Sequence, residues 1–314
     1  RDKSICDTSK LKRLNTINKV KIISLNLSEF QNVLNTIREI KPQHIYNLGG
    51  LTSVSLSFEQ PIECIESIAK GTLNILESLR FLKYDCKFLN CGSSECYGHI
   101  PENAPPANEL SILNPRSPYA ISKVASEKVL ENLCELNKIE YVIAVPHNII
   151  GPRQRYDDPF RNVVSIMLNR MMQKKAPIIY GDGEQKRCFS YIDDCISCLI
   201  PMLDQKNLHR EVINIGPDEE FVTVNKVAEL CSNISGFNAQ PIYKKDRPQE
   251  VKHALCSADK ARKLLNYKTT TSLRDGIVKT YEYIKKRGTK EFDYNINLEI
   301  INELTPETWK KKEI

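Results

Sequence analysis

Tyr119 and Lys123 stand four residues apart, the spacing that puts two side chains on one face of a helix. A phenol with an ordinary pKa of about 10 is a poor base at neutral pH. An ammonium held beside it favours the phenolate and turns it into a usable proton acceptor. The pair alone is a common coincidence, so its surroundings decide. Upstream, Ser93, Ser94 and Glu95 place two hydroxyls and an acid just past an apolar run. Downstream, His147 and Asn148 precede Gly151, Pro152 and Arg153, while Arg187 and Arg247 offer two guanidiniums, with Glu250 close behind the second. Two fixed guanidiniums suit a diphosphate, because each forms charge-assisted and potentially bidentate bonds.

The elements that must position these groups read as strands alternating with helices. Pro115 and Pro118 hold the approach to Tyr119 extended and leave it in the first turn of a helix. Apolar residues at Ile121, Val124, Ala125, Val129, Leu130 and Leu133 give that helix its period. Residues 1–18 read as loop and helix. A strand is predicted over Val20–Leu27, then a helix over Glu29–Glu39 capped by Ser28, and a short buried strand over His44–Leu48 running into Gly49 and Gly50. A long helix follows around 62–82, with strands at Cys86–Cys91 and Tyr141–Val145. Such alternation means a parallel sheet with helices on both faces, and ligands in such sheets collect at the carboxyl ends of the strands. After residue 150 the alternation loosens: helices are predicted at Arg161–Lys174 and Val224–Ser235, a strand and turn at Pro177–Gly183, a strand edge and helix over Phe189–Asp204, and a strand at Val212–Gly216. The tail around Thr308 and Trp309 is predicted to lie on the surface.

The bulk composition narrows the class. The chain has 314 residues, 41% hydrophobic and 27% charged, with 45 basic against 39 acidic residues and a net charge of +6. No basic block is long enough to read as a nucleic-acid tract. No apolar run reaches the roughly 18 residues of a membrane span. The eleven cysteines are odd in number and lie in apolar segments, as reduced cytoplasmic thiols do. Cys195 and Cys198 have zinc-like spacing but no second pair, so no metal is expected.

Taken in order, Ser93-Ser94-Glu95, the Tyr119/Lys123 pair, His147-Asn148 with Gly151-Pro152-Arg153, Tyr180 through Arg187, Phe189-x-Tyr191, and Arg247 with Glu250 resemble the extended short-chain dehydrogenase/reductases that modify nucleotide sugars. The resemblance runs from about residue 20 to 265. It implies an α/β fold with a Rossmann-type doubly wound parallel sheet and a smaller α/β substrate domain. The division would be 1–150 for NAD and 151–314 for the nucleotide sugar, with some later segments returning to the Rossmann core. It assigns catalysis to Ser93, Glu95, Tyr119 and Lys123. It places Asn26, Leu27, Leu48, Gly49, Gly50, Tyr119, Lys123 and His147 at the cofactor, NAD with NADP as the alternative. It gives the substrate to Ser94, Asn148, Arg187, Arg247 and Glu250, and implies a homodimer formed through two helices.

Within that family Glu95 discriminates. Simple 4-epimerases need only the hydroxyl and the tyrosine, whereas enzymes that eliminate water or carbon dioxide often carry an acid beside the hydroxyl. Ser94-Glu95 and the Tyr46–Pro61 segment resemble GDP-mannose 4,6-dehydratases. The Gly181–Arg187 and Arg247–Glu250 segments resemble UDP-sugar epimerases and decarboxylases. The leading expectation is a UDP-sugar 4-epimerase working through a 4-keto sugar, then a GDP-mannose 4,6-dehydratase, then a UDP-glucuronate decarboxylase. A relative that binds a nucleotide sugar without its cofactor is the non-enzyme alternative.

Two features depart from the family's pattern. The family opens with Gly-x-x-Gly-x-x-Gly, whose glycines let backbone approach a pyrophosphate. None of the twelve glycines is so spaced, and the chain opens on Arg1, which reads as a start inside the first β-α-β unit, with the first strand and glycine loop missing. The chain alone is therefore expected to bind dinucleotide weakly and not to turn over, and low-micromolar binding in an NAD titration contradicts this. Asn26 also stands where an aspartate normally contacts adenine, and Ile68 where many epimerases have asparagine.

Overall fold

The computed structural model describes residues 21–247, 249–294 and 305–314. Its central sheet has four parallel strands: β1 (His44–Asn47), β2 (Lys87–Cys91), β3 (Tyr141–Pro146) and β4 (Val212–Ile215), side by side in that order. The period-2 alternation of a strand explains why both faces are covered. Tyr141, Ile143 and Val145 of β3 face one core with Val33, Leu76, Leu79 and Leu130, and Val142 and Ala144 face another with Cys195, Cys198, Ile213 and Ala261. The first core belongs to helices α1 (Phe30–Ile40), α2 (Gly71–Leu82) and α3 (Pro118–Asn137). Val212–Ile215, well past residue 150, joins the same sheet. A third core gathers Met167, Leu168, Ile179, Cys231 and Ile277 around helices α4 (Val163–Met172), α5 (Val224–Ser235) and α6 (Leu273–Arg287).

Several expectations are corrected. The strand predicted over Val20–Leu27 does not form in its described part, 21–27: Ile22 and Ile23 are exposed and no partner strand borders them. Ser28 does not cap α1; its hydroxyl donates to Asn26 Oδ1, and Glu29 takes the N-cap position without a side-chain bond. β1 is half-exposed rather than buried, because it borders the described sheet on one side only; Leu48 is 55% exposed. The helix around 62–82 is Pro61–Ile65 and Gly71–Leu82 joined through a π-turn at Glu66–Lys70. The tail is not on the surface: Thr308 and Trp309 are buried, with Trp309 edge-on to Phe160 at 4.8 Å. Residues 1–18 lie outside the described residues.

Candidate active site

α3 starts as its sequence dictates. Ser117 caps it by accepting from the Ala120 N–H, and Pro118 occupies the first turn, where its missing N–H costs nothing. The Tyr119 N–H donates to Ser57 Oγ at 3.1 Å, a tie that no motif announced. The buried face of α3 carries Tyr119, Ser122, Lys123, Ser126 and Glu127, so the helix presents its polar residues to the sheet. β2 ends at Cys91, and Ser93 opens the short 3-10 turn Ser94–Tyr97 by accepting from the Glu95 N–H. The carboxyl end of β2 and the first turns of α3 thus bring the Ser93 hydroxyl close to the Tyr119 phenol.

Burial raises the Tyr119 phenol above its ordinary value, and the nearby Ser93 hydroxyl works against that. Here the structure corrects the simple reading of the pair. The Lys123 amine donates to the Cys91 carbonyl at 2.6 Å and stands 5.9 Å from the Tyr119 ring centre, so it is engaged with the end of β2 rather than with the phenol oxygen. Tyr119 rests as a neutral phenol.

A cavity of about 310 Å³ collects five of the predicted residues: Glu95, Asn148, Arg187, Arg247 and Glu250. Glu250 is gripped by both guanidiniums, Arg187 at 3.1 Å and Arg247 at 2.8–2.9 Å. Arg187 also donates to the carbonyls of Lys186, Val251 and Lys252, which fixes its plane. Asn148 donates to the Cys188 carbonyl at 2.9 Å and keeps its second amide hydrogen for the cavity. Glu95 links the two groups: it follows Ser93 by two residues and faces both arginines. Burial and Glu250 raise its carboxyl, and Arg187 and Arg247 pull it back. Ser93, Ser94, Tyr119 and Lys123 are buried beside this cavity rather than lining it.

The residues assigned to a dinucleotide lie apart from the cavity lining. Gly50, at φ +129, has Ile68 Cγ1 only 2.6 Å from where a Cβ would stand, and at Gly49 that position meets Leu27 at 2.8 Å. The backbone there runs tight against Ile68 and Leu27, which a side chain would prevent. Asn26 spends its Oδ1 on Ser28, and its amide on Glu29. His147 is fully buried, with Nδ1 3.4 Å from Cys188 Sγ and Nε2 unpartnered among the described residues; burial pushes it down to about 4, so it is neutral. At the nicotinamide end the chemistry fits. Lys123 carries three N–H donors and spends one on Cys91, leaving two for ribose hydroxyls.

Glu127, one turn beyond Lys123, is a residue that motif reasoning missed. Its Oε1 is buried without a partner among the described residues and lies 2.4 Å from where a Cβ on Gly92 would stand, so a side chain there would have to displace the carboxyl. Burial pushes its carboxyl up to about 7; Lys123 and Lys128 lower it, and Glu131 raises it. A carboxyl raised in the fold stabilises fully below its unfolded value of 4.5, and that contribution is lost as pH climbs through about 7. Glu127→Gln keeps the neutral shape at every pH. It is therefore expected to exceed the parent in stability by ~3 kcal/mol near pH 8 and to match it below the unfolded carboxyl pKa. Urea midpoints at the two pH values measure this, and an equal gap at both would contradict it.

The model of the GDP-mannose 4,6 dehydratase family matches residues 1–280. A putative UDP-glucose 4-epimerase of Methanocaldococcus jannaschii is 34% identical over 238 residues, covering 75% of each chain. Among solved structures, the UDP-glucose 4-epimerase of Thermotoga maritima with UDP-glucose superposes with a TM-score of 0.79 at 28% identity, covering 84% of each chain. The UDP-glucuronic acid 4-epimerase of Bacillus cereus, in complex with UDP-glucuronic acid and NAD, gives 0.80 at 28% identity, covering 90% of this chain and 86% of its own.

Proposed function

The chain belongs to the GDP-mannose 4,6 dehydratase family, among the extended short-chain dehydrogenase/reductases that act on nucleotide sugars, and from that premise we propose that it is an NAD-dependent 4-epimerase of a UDP-hexose. The observation that carries this reading is the shared cavity: Glu95, two residues from the Ser93–Tyr119 pair, lines the same space as Arg187 and Arg247. A site so built holds a diphosphate by its two guanidiniums and leaves the sugar toward the tyrosine.

When bound, NAD supplies reversible uptake of the hydride from C4, giving a 4-keto sugar. Lys123 would hold the nicotinamide ribose through its free donors, with Gly49, Gly50 and His147 as further residues that would hold the cofactor. Tyr119 accepts the proton of the C4 hydroxyl and later returns it, while Ser93 bonds the same oxygen and orients it. To act as base, Tyr119 must first lose its own proton, and Lys123 is the cation that steadies the phenolate by leaving the Cys91 carbonyl. Arg187 and Arg247 bind the diphosphate, Asn148 donates to a phosphate oxygen, Ser94 contacts the sugar and Glu250 accepts from a ribose hydroxyl. Residues 1–150 serve the cofactor and 151–314 the nucleotide sugar, with β4 returning to the first sheet. Exposed Ile62, Ile65, Leu73 and Ile121 on neighbouring helices support a homodimer. The described cysteines, all free and all but one buried, support a cytoplasmic setting. No helix among the described residues is long and apolar enough to cross a membrane.

One observation favours a second reading, 4,6-dehydration. Glu95 is raised by burial beside Ser93, as suits a carboxylate that takes the C5 proton as base and then, as the acid so formed, gives it to the leaving C6 hydroxyl. Glu95→Gln separates the two. A 4-epimerase keeps turnover within about tenfold, whereas a dehydratase loses about 10²–10⁴-fold, the size of a general acid–base contribution. Product analysis by proton NMR with UDP-glucose and with GDP-mannose reads the outcome, and loss of the C6 hydroxymethyl signals would reject the epimerase.

A further inference from the structure

We propose that residues 305–314 form a wall of the nucleotide-sugar cavity that positions Arg247, and so set how tightly this chain holds the nucleotide. The proposal rests on the reading of that cavity as the nucleotide-sugar site. These residues lie beyond 1–280, the stretch the family model matches.

The wall is pinned at both ends. The Thr305 hydroxyl donates to Glu59 at 2.8 Å, and the Ile314 N–H donates to the Tyr294 hydroxyl at 2.7 Å. Between them, helix α7 (Glu307–Lys310) turns Trp309 and Thr308 inward, 3% and 1% exposed. Trp309 and Ile314 line the cavity directly. The Thr308 hydroxyl shares a 2.5 Å hydrogen bond with the Tyr180 hydroxyl, and the Arg247 guanidinium lies over the Tyr180 ring at 5.2 Å from its centre. Arg247 is further held by Glu250 and by Ser55 Oγ. A fixed chain of contacts thus runs from Thr308 through Tyr180 to Arg247. Thr308 is a positioning residue here, since it touches the guanidinium only through Tyr180.

Trp309 is the only tryptophan in the chain, so its emission reports on the wall itself. The full chain is titrated with UDP and, separately, with GDP, following indole emission in parallel with calorimetry. The emission is expected to change saturably with the affinity that calorimetry gives. Thr308→Val is expected to bind UDP about threefold to tenfold more weakly, the size of one uncharged hydrogen bond, and Thr308→Ser to restore it. If Thr308→Val does not fold, Tyr180→Phe removes the same bond from the other side. Calorimetric binding with unchanged emission, or undiminished affinity in the folded variant, overturns the proposal and leaves the nucleotide reading standing. Absence of calorimetric binding with both nucleotides overturns the nucleotide reading and the wall together.

Discussion

Tyr119→Phe is expected to lower turnover of the NAD-loaded protein by about 10²–10⁴-fold while leaving UDP-sugar affinity within about twofold. The ring stays packed among Leu51, Leu56, Cys64 and Ile68, so the change removes one hydroxyl and little else. What it removes is the phenol oxygen next to Ser93, the group on which the transfer from the sugar hydroxyl depends. Because burial raises the phenol, parent turnover is expected to climb with pH as Tyr119 ionises, and the variant should lose that climb. Steady-state kinetics across pH measures both. A variant with parental turnover would mean that another group carries the proton.

Arg187→Ala is the second large effect. It is expected to weaken UDP binding by about 10–100-fold, the magnitude of one charge-assisted bond. The guanidinium is held by Glu250 and by three backbone carbonyls, with its side chain 12% exposed, so its plane is set before ligand arrives. Lysine cannot reproduce that fork, and Arg187→Lys is expected to recover little. The carbonyls left without a donor cost about 1–3 kcal/mol of stability, visible as a lower unfolding midpoint. Calorimetry with UDP separates the two consequences, and unchanged affinity would remove Arg187 from the site.

How much of this was legible in the sequence varied with the kind of signal. Helices with local punctuation were read well: Val224–Ser235 forms over its predicted range and closes on Gly236 in the left-handed region at φ 66. The strand over Tyr141–Val145 was legible because it is a continuous apolar run, rich in β-branched residues and buried on both faces. α3 was recognised from Ile121, Val124 and Ala125, yet Ile121 is exposed and the face turned inward carries Ser122, Lys123, Ser126 and Glu127. Periodicity identified the helix and not which side mattered. Burial of Glu127 left no sequence trace, because a charged residue inside a helix reads as solvated until a neighbour such as Gly92 makes room for it. The inward turn of Thr308 and Trp309 was equally hidden, since their respective partners Tyr180 and Phe160 are far away in the chain. At the site, residue types and spacing identified the cavity's arginines, Glu95 and Asn148. They could not show that Lys123 would rest on the Cys91 carbonyl, a contact made by backbone geometry at the end of β2.

The central claim is that the sugar is oxidised and reduced at one carbon, C4, by the Tyr119 centre. Running the reaction in deuterium oxide with UDP-glucose and NAD, on a form of the protein that also carries the glycine loop absent from this sequence, and reading the products by NMR, tests it most directly. The account predicts a product inverted at C4 with protium at every carbon and its C6 hydroxymethyl intact. Deuterium at C5 with loss of the C6 hydroxymethyl signals would contradict it and make Glu95 the acid of a dehydratase.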